Sequence, residues 1–307
     1  MCMQHQLKAE KNSRRLSQSQ RIMIVIAVVA LVVFYAVFFI FPIGYALTGS
    51  FFNWMPTKRV FSFVGLENYR KIFEQSTLGL AMGNTLVFTV VVTLGRTLLG
   101  LFFAALIYSM RRGRVLFRTI YFIPVITSTV AVSMVWKWMY EPSNGPLNYY
   151  LSLAGIAPQR FLIDSSQALW CVMAMTIWKE TGYAMVMYMA GMTGIPGTLY
   201  EAAEMDGCTR WQAFRYITFP LLKTTTEFIL LTSFVTYCQT FTQIDLMTKG
   251  GPGKASYTMV YYLYQEAFGN NRFGRASAIA FVLFAVILVF SVLQLRITRT
   301  KEAEKHA

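Results

Sequence analysis

The segment Thr198-Leu-Tyr-Glu-Ala-Ala-Glu-Met-Asp-Gly-Cys-Thr-Arg-Trp-Gln-Ala-Phe-Arg-Tyr-Ile-Thr-Phe-Pro220 lies between two long apolar stretches of the chain. Its first half predicts a short helix that begins at Thr198 and runs to about Asp206. Thr198 and Glu201 have the spacing of a capping box, in which each side chain bonds a free backbone amide of the first turn. Gly207 then supplies the left-handed residue on which many helices end.

The second half of this segment predicts another helix, which follows directly on the turn. Thr209 and Gln212 repeat the capping-box spacing. We expect the helix to end before Pro220, because the residue preceding a proline is pushed out of helical geometry. Its apolar side chains recur at helical spacing and suit a groove on a partner protein. They are Trp211, Phe214 and Ile217.

The first of these two helices has a flat face made of small and short side chains. The residues on that face are Leu199, Ala202, Ala203 and Asp206. Glu201 and Glu204 stand beside it. A helix that lies on lipid headgroups usually carries Lys and Arg on its polar face, whereas this helix is acidic. Docking onto a partner protein is therefore the favoured interpretation, and contact with headgroups is the alternative.

The rest of the chain has the composition of a membrane protein. Of its 307 residues, 55% are hydrophobic and only 14% are charged, whereas soluble domains carry about 25% charged residues. The net charge of +14 does not indicate nucleic-acid binding, because the basic residues lie mostly between apolar runs, where they orient a membrane protein. We expect an all-α, multi-pass protein of the cell (plasma) membrane that contacts the lipid bilayer and no nucleic acid.

Six apolar stretches reach the roughly 20 residues that a helix needs to cross a bilayer. They are roughly Ile22–Leu47, Met82–Tyr108, Leu116–Met139, Ala168–Met192, Thr224–Met247 and Ala276–Leu295. The first stretch follows three arginines and could be a signal peptide. Its apolar run is longer than the about 7–15 residues typical of such a peptide, which favours an uncleaved span.

The distribution of Lys and Arg orients these spans, because cytoplasmic segments carry the excess of basic residues. With the N-terminus inside, the segments 109–118 and 194–223 and both tails hold more basic residues than the outer loops, although the outer loops are longer. Six spans then place both termini in the cytoplasm. The predicted organisation is a tail over 1–21, a first span with its outer loop over 22–79, a core of five spans over 80–297 that contains the 198–220 loop, and a tail over 298–307.

Neither catalysis nor metal binding is indicated by the sequence. The four cysteines lack a C-x-x-C spacing, and the only histidines, His5 and His306, lie in the tails. That removes a zinc-protease motif and a serine triad from the body of the chain. The single Gly-Lys pair, Gly253-Lys254, lacks the remainder of a phosphate-binding P-loop. We expect no cofactor on this chain, so the energy for any transport must come from an ion gradient or from another subunit.

The spacing within the 198–220 loop resembles the EAA loop of ABC importer permeases. Glu201-Ala202-Ala203 is followed after three residues by Gly207, after nine by Ile217, and after one more by Phe219-Pro220. The family usually has Leu at the position of Phe219 and Ala at that of Cys208. The resemblance implies that both helices seat in a cleft on a separate ATPase subunit and transmit its closure to the membrane. The residues implied in this contact are Glu201, Ala202, Ala203, Asp206, Gly207, Trp211, Phe214, Ile217 and Pro220.

Three further stretches resemble carbohydrate-uptake permeases of the maltose and glycerol-3-phosphate type. They are Phe63–Tyr69, Thr248–Pro252 and Phe273–Ala280. The resemblance implies a type I ABC importer permease for a sugar or oligosaccharide, which is not itself an enzyme. It also implies two ATPase subunits that bind ATP and magnesium, an extracytoplasmic solute-binding protein and a second, non-identical permease subunit. A glycerol-3-phosphate or polyol permease is the alternative within the family.

Polar and aromatic residues of the middle spans are candidates for the sugar pathway, because sugars bind to aromatic faces and neutral hydrogen-bonding groups. They are Thr129, Trp178, Gly182, Tyr183, Tyr237, Gln239 and Thr240. Alignment on the family motifs implies that Gly182, Tyr237 and Thr240 lie near the sugar in maltose-type relatives. Polar side chains also join membrane helices to one another, and that structural role is the alternative for each residue.

Charged residues at bilayer depth are costly and therefore mark functional sites or structural pairs. Arg96 and Glu180 lie about 21 and 22 Å from the cytoplasmic ends of their spans at 1.5 Å per residue. Equal depth permits an ion pair between them, and lining of the pathway is the alternative. An ion-coupled carrier would instead use Glu180 or Asp245 as a proton site. A membrane-embedded enzyme is disfavoured, because the spans hold no histidine.

Overall fold

The computed structural model of this protein describes residues 18–110 and 112–306. Most of the predicted N-terminal tail, residues 1–17, lies outside the described part of the chain. The described residues form a bundle of helices with one small β-hairpin. This arrangement agrees with the all-α class expected from the apolar composition.

The chain begins with a long exposed helix and the hairpin. Helix α1 (Gln18–Ser50) passes through a π turn at Ala36–Ile40. Apolar side chains are exposed along almost the whole length of this helix, as in a helix that faces lipid. Strands β1 (Phe52–Met55) and β2 (Val60–Phe63) then pair antiparallel.

The remaining elements alternate long helices with short ones. The first group comprises α2 (Glu67–Glu74), α3 (Ser76–Ser109), α4 (Arg114–Ile126), α5 (Thr129–Met139), α6 (Pro146–Leu153) and α7 (Ala168–Thr193). The second group comprises α8 (Gly197–Met205), α9 (Arg210–Ala213), α10 (Phe219–Leu221), α11 (Lys223–Cys238), α12 (Thr242–Met247), α13 (Met259–Tyr264) and α14 (Phe273–His306). Because α14 continues to residue 306, most of the predicted tail over 298–307 is helical.

Three helices are long and apolar enough to cross a membrane within the described ranges. They are α1, α3 and the first part of α14, Phe273–Arg296, and the pair α4 and α5 makes a fourth if it is one bent span. Helix α7 has 26 residues, about 39 Å at 1.5 Å per residue, but Lys179 and Glu180 in its middle lower its mean hydropathy.

Two of the predicted spans are broken rather than continuous. The stretch Leu116–Met139 bends by 94° between α4 and α5. The stretch Thr224–Met247 is interrupted at residues 239–241, which separate α11 from α12. Helix α11 alone has 16 residues and is about 24 Å long, shorter than the about 30 Å of a bilayer core. Each of these two predicted spans is therefore a pair of helices rather than one helix.

Helices α3 and α7 pack along each other and form the centre of the bundle. Helix α3 also packs on α11, and α7 packs on α4. The close fit of α3 and α7 depends on Gly100, where a Cβ atom would lie 2.9 Å from the backbone nitrogen of Met185. Small residues thus let two membrane helices approach closely. The resulting van der Waals packing stabilises the pair in lipid, where no hydrophobic effect drives helices together.

The stretches Phe63–Tyr69 and Phe273–Ala280 fasten the hairpin to the bundle. The Asn68 amide nitrogen donates to the backbone carbonyls of Ser50 and Phe52 at 2.9 and 2.8 Å. Gly274 faces the same Phe52 carbonyl so closely that a Cβ atom there would lie 2.0 Å from its oxygen. Asn68 and Gly274 together hold the end of α1 and the start of β1 against α14.

Replacement of Gly274 by alanine is expected to destabilise the protein, because its methyl group has no room against the Phe52 carbonyl. Overpacking of this kind costs about 1–3 kcal/mol of the free energy of unfolding. Gly83→Ala is the matched control, since Gly83 is helical and has open space where a Cβ atom would lie. Thermal unfolding in detergent should show a lower Tm for Gly274→Ala only. An unchanged Tm would contradict this account of the hairpin contact.

Candidate functional site

Residues beside two helix breaks line one cavity. The first break lies at Thr127 and Ser128 between α4 and α5, and the second lies at residues 239–241 between α11 and α12. Both border a cavity of about 250 Å³. Irregular backbone at membrane depth is tolerated where it lines a cavity or is buried in protein, so the breaks and the cavity belong together.

The wall of this cavity is mostly polar. Its polar residues are Thr129, Thr176, Lys179, Glu180, Thr236, Tyr237, Gln239, Thr240, Thr242 and Gln243, with Met175 and Phe241 as apolar neighbours. Thr240 is 5% exposed, and its hydroxyl lacks a hydrogen-bond partner among the described residues. A buried hydroxyl without a partner is costly, and a solute hydroxyl in the cavity would relieve that cost.

Four of the predicted pathway residues line the cavity, namely Thr129, Tyr237, Gln239 and Thr240. Several residues of the wall were not predicted, among them Thr176, Phe241 and Thr242. Thr176 lies one helical turn before Glu180, so helical spacing from that carboxylate could have indicated it. Helical spacing could not have indicated Phe241 and Thr242, because the break between α11 and α12 turns them inward.

Three other predicted residues lie outside the cavity wall. Gly182 instead allows α7 to touch the kinked helix α4, since a Cβ atom there would lie 2.0 Å from the Tyr121 carbonyl oxygen. The Trp178 ring is 47% exposed, and its centroid lies 5.4 Å from that of Trp136. The Tyr183 ring lies under the Arg96 guanidinium. The contacts of these three residues support the alternative role, in which their side chains join membrane helices to one another.

Lys179 stabilises the broken end of α4. Its ammonium donates to the Val125 carbonyl at 3.1 Å and to the Glu180 carboxylate at 3.2 Å. The last carbonyls of a helix have no partner within the helix and carry partial negative charge. A buried cation at that position therefore satisfies both the helix end and the neighbouring carboxylate, which explains two charges in the middle of α7.

Arg96 does not form the predicted ion pair with Glu180. Its guanidinium donates to the Tyr237 hydroxyl at 2.6 Å and lies over the rings of Tyr183 and Tyr237, 5.2 and 5.5 Å from their centroids. The Glu180 carboxylate pairs with Lys179 instead. The two aromatic rings stabilise the arginine by cation–π contact. The Glu180 carboxylate is then available to Lys179, its neighbour on α7.

The 198–220 loop has the predicted break at Gly207. That residue has φ of +76°, and the amides of Cys208 and Gly207 donate to the carbonyls of Ala203 and Glu204 at 2.9 and 3.0 Å. This pair of bonds is a Schellman motif, which ends a helix at a left-handed residue. The capping box at Thr209 and Gln212 is also present, so the start of the second helix is confirmed.

Two details of the loop differ from the prediction. Helix α8 begins at Gly197 with Pro196 as its N-cap and no side-chain cap, so the capping box at Thr198 and Glu201 does not form. The second helix continues through Pro220 to the end of α10, because a π turn over Phe214–Thr218 precedes it. The wider turn accommodates the proline, which has no amide to donate and would collide with a tighter turn.

The surface of the loop is acidic and apolar at once. Ala203 is buried, whereas Glu201 and Asp206 are exposed. Met205 is 89% and Trp211 70% exposed, and the Trp211 ring stacks on Phe214 at 5.7 Å. Large apolar side chains exposed beside charged ones are typical of a surface that binds another protein or lies on the membrane.

Residues 96–302 match the family described as the binding-protein-dependent transport system inner membrane component. This chain belongs to that family. It is accordingly a transport subunit of an ABC transporter in the inner membrane, not itself an enzyme, and the fold is that of a type I importer permease.

Individual relatives resemble the permease over most of its length. A probable ABC transporter permease protein of Pyrococcus horikoshii is 31% identical over 268 residues, 87% of this chain and 92% of the relative. The sn-glycerol-3-phosphate transport system permease protein UgpA of Escherichia coli is 31% identical over 86% of this chain and 90% of the relative. A crystal structure of a bacterial ABC transporter that imports alginate contains a chain with a TM-score of 0.82 at 24% identity, covering 91% of this chain and 95% of that one.

Exchanging the charges of Arg96 and Glu180 in a double variant is not expected to restore the stability that the single variants lose. Arg96→Glu places a carboxylate between two tyrosines, and Glu180→Arg places a second cation beside Lys179. The double variant should therefore fold no better than the worse single variant, measured as monodisperse yield and Tm in detergent. The exposed Arg70–Glu74 pair, 2.7 Å apart, is the control, because exchange there should change stability little. Recovery of stability in the Arg96→Glu, Glu180→Arg double variant would contradict the assigned contacts.

Proposed function

We propose that this permease moves a sugar or oligosaccharide into the cell, driven by ATP hydrolysis on separate subunits. The observation that carries the proposal is the polar cavity at the two helix breaks. It lies between the helices α7 and α11 that flank the acidic 198–220 loop. A movement of the loop would therefore act directly on two walls of the cavity.

The chemistry of the cavity favours a neutral, hydroxyl-rich solute. Threonine hydroxyls and the amides of Gln239 and Gln243 dominate its wall. The Lys179 and Glu180 charges of the wall pair with each other, so neither is free to attract a charged solute. The unpartnered hydroxyl of Thr240 is suited to bond a sugar hydroxyl.

A glycerol-3-phosphate or polyol permease is the alternative within the family, supported by the name of the UgpA relative. A phosphate ester needs a cation that is free to bind it. Lys179 is engaged by the α4 end and by Glu180, and Arg96 is not among the residues that line the cavity. A thermal-shift screen of the cognate binding protein with neutral sugars and with phosphate esters separates the two possibilities.

The proposed topology has six spans. Length and hydropathy identify α1, α3, α14 and the bent pair α4 and α5, and the other two spans are α7 and the broken pair α11 and α12. Both termini and the 198–220 loop then face the cytoplasm, as the distribution of basic residues indicates. The first span with its outer loop (22–79) is peripheral, and the core (80–297) contains the cavity.

The proposed assembly contains four other protein subunits. A second, non-identical permease completes the translocation path, and an extracytoplasmic binding protein delivers the solute to the outer face. Two ATPase subunits bind ATP and magnesium, so this chain needs no cofactor of its own. Glu201, Asp206, Trp211 and the neighbouring loop residues would seat on an ATPase subunit, and its closure would open the cavity outward.

An ion-coupled carrier is the rival from another class. Its proton site would be Glu180 or Asp245. Glu180 already has a fixed cationic partner in Lys179, and a site that loads and releases a proton would have to break that ion pair in every cycle. Nucleotide dependence of uptake distinguishes the two mechanisms.

Gly207→Val is expected to uncouple ATP hydrolysis from uptake. A β-branched residue strains the left-handed conformation, at a cost of roughly 1–2 kcal/mol, and so tilts α8 relative to α9. Glu201→Lys should have the same effect by reversing charge on the exposed face. Both variants should insert normally and show basal ATPase activity, but lose most solute uptake in proteoliposomes.

Gly155→Val is the matched control for the loop. Gly155 has φ of +72° and open space around it, as Gly207 does, but it lies in a different loop. The control should retain coupled uptake. Normal uptake by both Gly207→Val and Glu201→Lys would rule out the coupling role of the loop.

A further inference from the structure

A continuous row of aromatic side chains links the cavity to the β-hairpin. We call it the aromatic row, and it consists of Phe241, Tyr264, Phe268, Phe273 and Trp54. Successive ring centroids lie 4.9, 5.2, 5.7 and 5.2 Å apart. Helical spacing brings Tyr264 and Phe268 together across the π turn Gln265–Gly269 that follows α13.

The row joins two pockets that differ in position. Phe241 is part of the wall of the 250 Å³ cavity. Trp54, at the other end, lines a pocket of about 90 Å³ whose remaining wall includes Asn53, Glu67 and Arg272. Each end of the row therefore meets groups that can hydrogen-bond to hydroxyls, and the rings lie between them.

The rings of the row are open to a ligand. Phe268 is 67% exposed and Tyr264 36% exposed, and the other three rings are half-buried. Successive rings are tilted or edge-on to each other, with interplanar angles of 40–75°, rather than stacked face to face. Rings in such an arrangement do not cover each other's faces as stacked rings would, and the faces carry the negative part of the aromatic quadrupole.

We propose that the aromatic row is the entry path along which a ring-shaped sugar passes from the hairpin pocket to the cavity. The inference rests on the proposed function. The C–H groups on one face of a pyranose ring carry partial positive charge and lie well on an aromatic face, while the hydroxyls at the ring edge stay available to water or polar groups. Rings spaced by about one sugar ring let the solute move in small steps without losing all its contacts.

Polar groups accompany the row where it nears the cavity. The Gln265 amide donates to the Tyr261 hydroxyl at 2.9 Å, and the Tyr261 ring stacks with Phe241 at 6.3 Å. This amide would bond the hydroxyls of a sugar that rests on the rings.

A belt of aromatic residues at the membrane surface is the structural alternative, since such residues anchor membrane proteins at the interface. Leucine separates the two roles. It preserves apolar volume and anchoring at an exposed site, but it has no aromatic face. The test therefore compares Phe268→Leu with Phe268→Tyr, and Tyr264→Leu is a second position on the row.

The experiment uses the complete transporter in proteoliposomes, supplied with ATP and binding protein loaded with a transported sugar. Phe268→Leu and Tyr264→Leu are expected to lower the maximal uptake rate about two- to tenfold, the range that corresponds to loss of one aromatic contact. Phe268→Tyr should retain the wild-type rate. Phe284→Leu, a 57% exposed position on α14 outside the row, should also retain it, with equal yield and Tm for all variants.

Two results would overturn the proposal while leaving the proposed function intact. One is wild-type uptake by both leucine variants of the row, and the other is an equal loss in Phe284→Leu, which would indicate general anchoring. Failure of the wild-type complex to import any sugar would overturn the proposed function and the entry path together.

Discussion

The contact of Arg96 with Tyr237 and Tyr183 joins the three helices on which the site depends. Arg96 belongs to α3, Tyr183 to α7 and Tyr237 to α11. A buried guanidinium is costly to desolvate and must find partners, so the three helices are held in one arrangement around it. Helices α7 and α11 are also the two that the 198–220 loop connects. In the proposed mechanism, a displacement of the loop would reach the cavity through helices that Arg96 already joins to each other.

The helix breaks give this bundle its cavity at a local energetic cost. A broken helix leaves carbonyls and amides without partners. Lys179 compensates for part of that loss at the end of α4, and the side chains of Gln239 and Thr258 do so at the second break, where they donate to the carbonyls of Val235 and Thr240. Lys179 is itself compensated by Glu180. The break between α4 and α5 thus explains both charges in α7, because Lys179 bonds the end of α4 and Glu180 pairs with Lys179.

Sequence reasoning predicted the family, the helical class and the loop, because these depend on local patterns. Gly207 and the Thr209–Gln212 box follow from short-range backbone chemistry, and both are present. The break between α11 and α12 was missed because no glycine or proline marks it. The dense polar residues over 236–243 were the one sign of it in the sequence. The partner of Arg96 was also missed, since equal depth along two helices does not determine which side chains face each other. The direction of a side chain depends on packing among several helices, and no single sequence segment contains that information.

The central claim is that this chain supplies a path and a site of attachment, while another subunit supplies the energy. Its most direct test is solute uptake into vesicles that contain the permease pair with or without the ATPase subunits. The account predicts accumulation only when the ATPase subunits, ATP and the loaded binding protein are all present, with no effect of collapsing the ion gradients. Accumulation by vesicles that lack the ATPase subunits, in response to an imposed proton or sodium gradient, would contradict it.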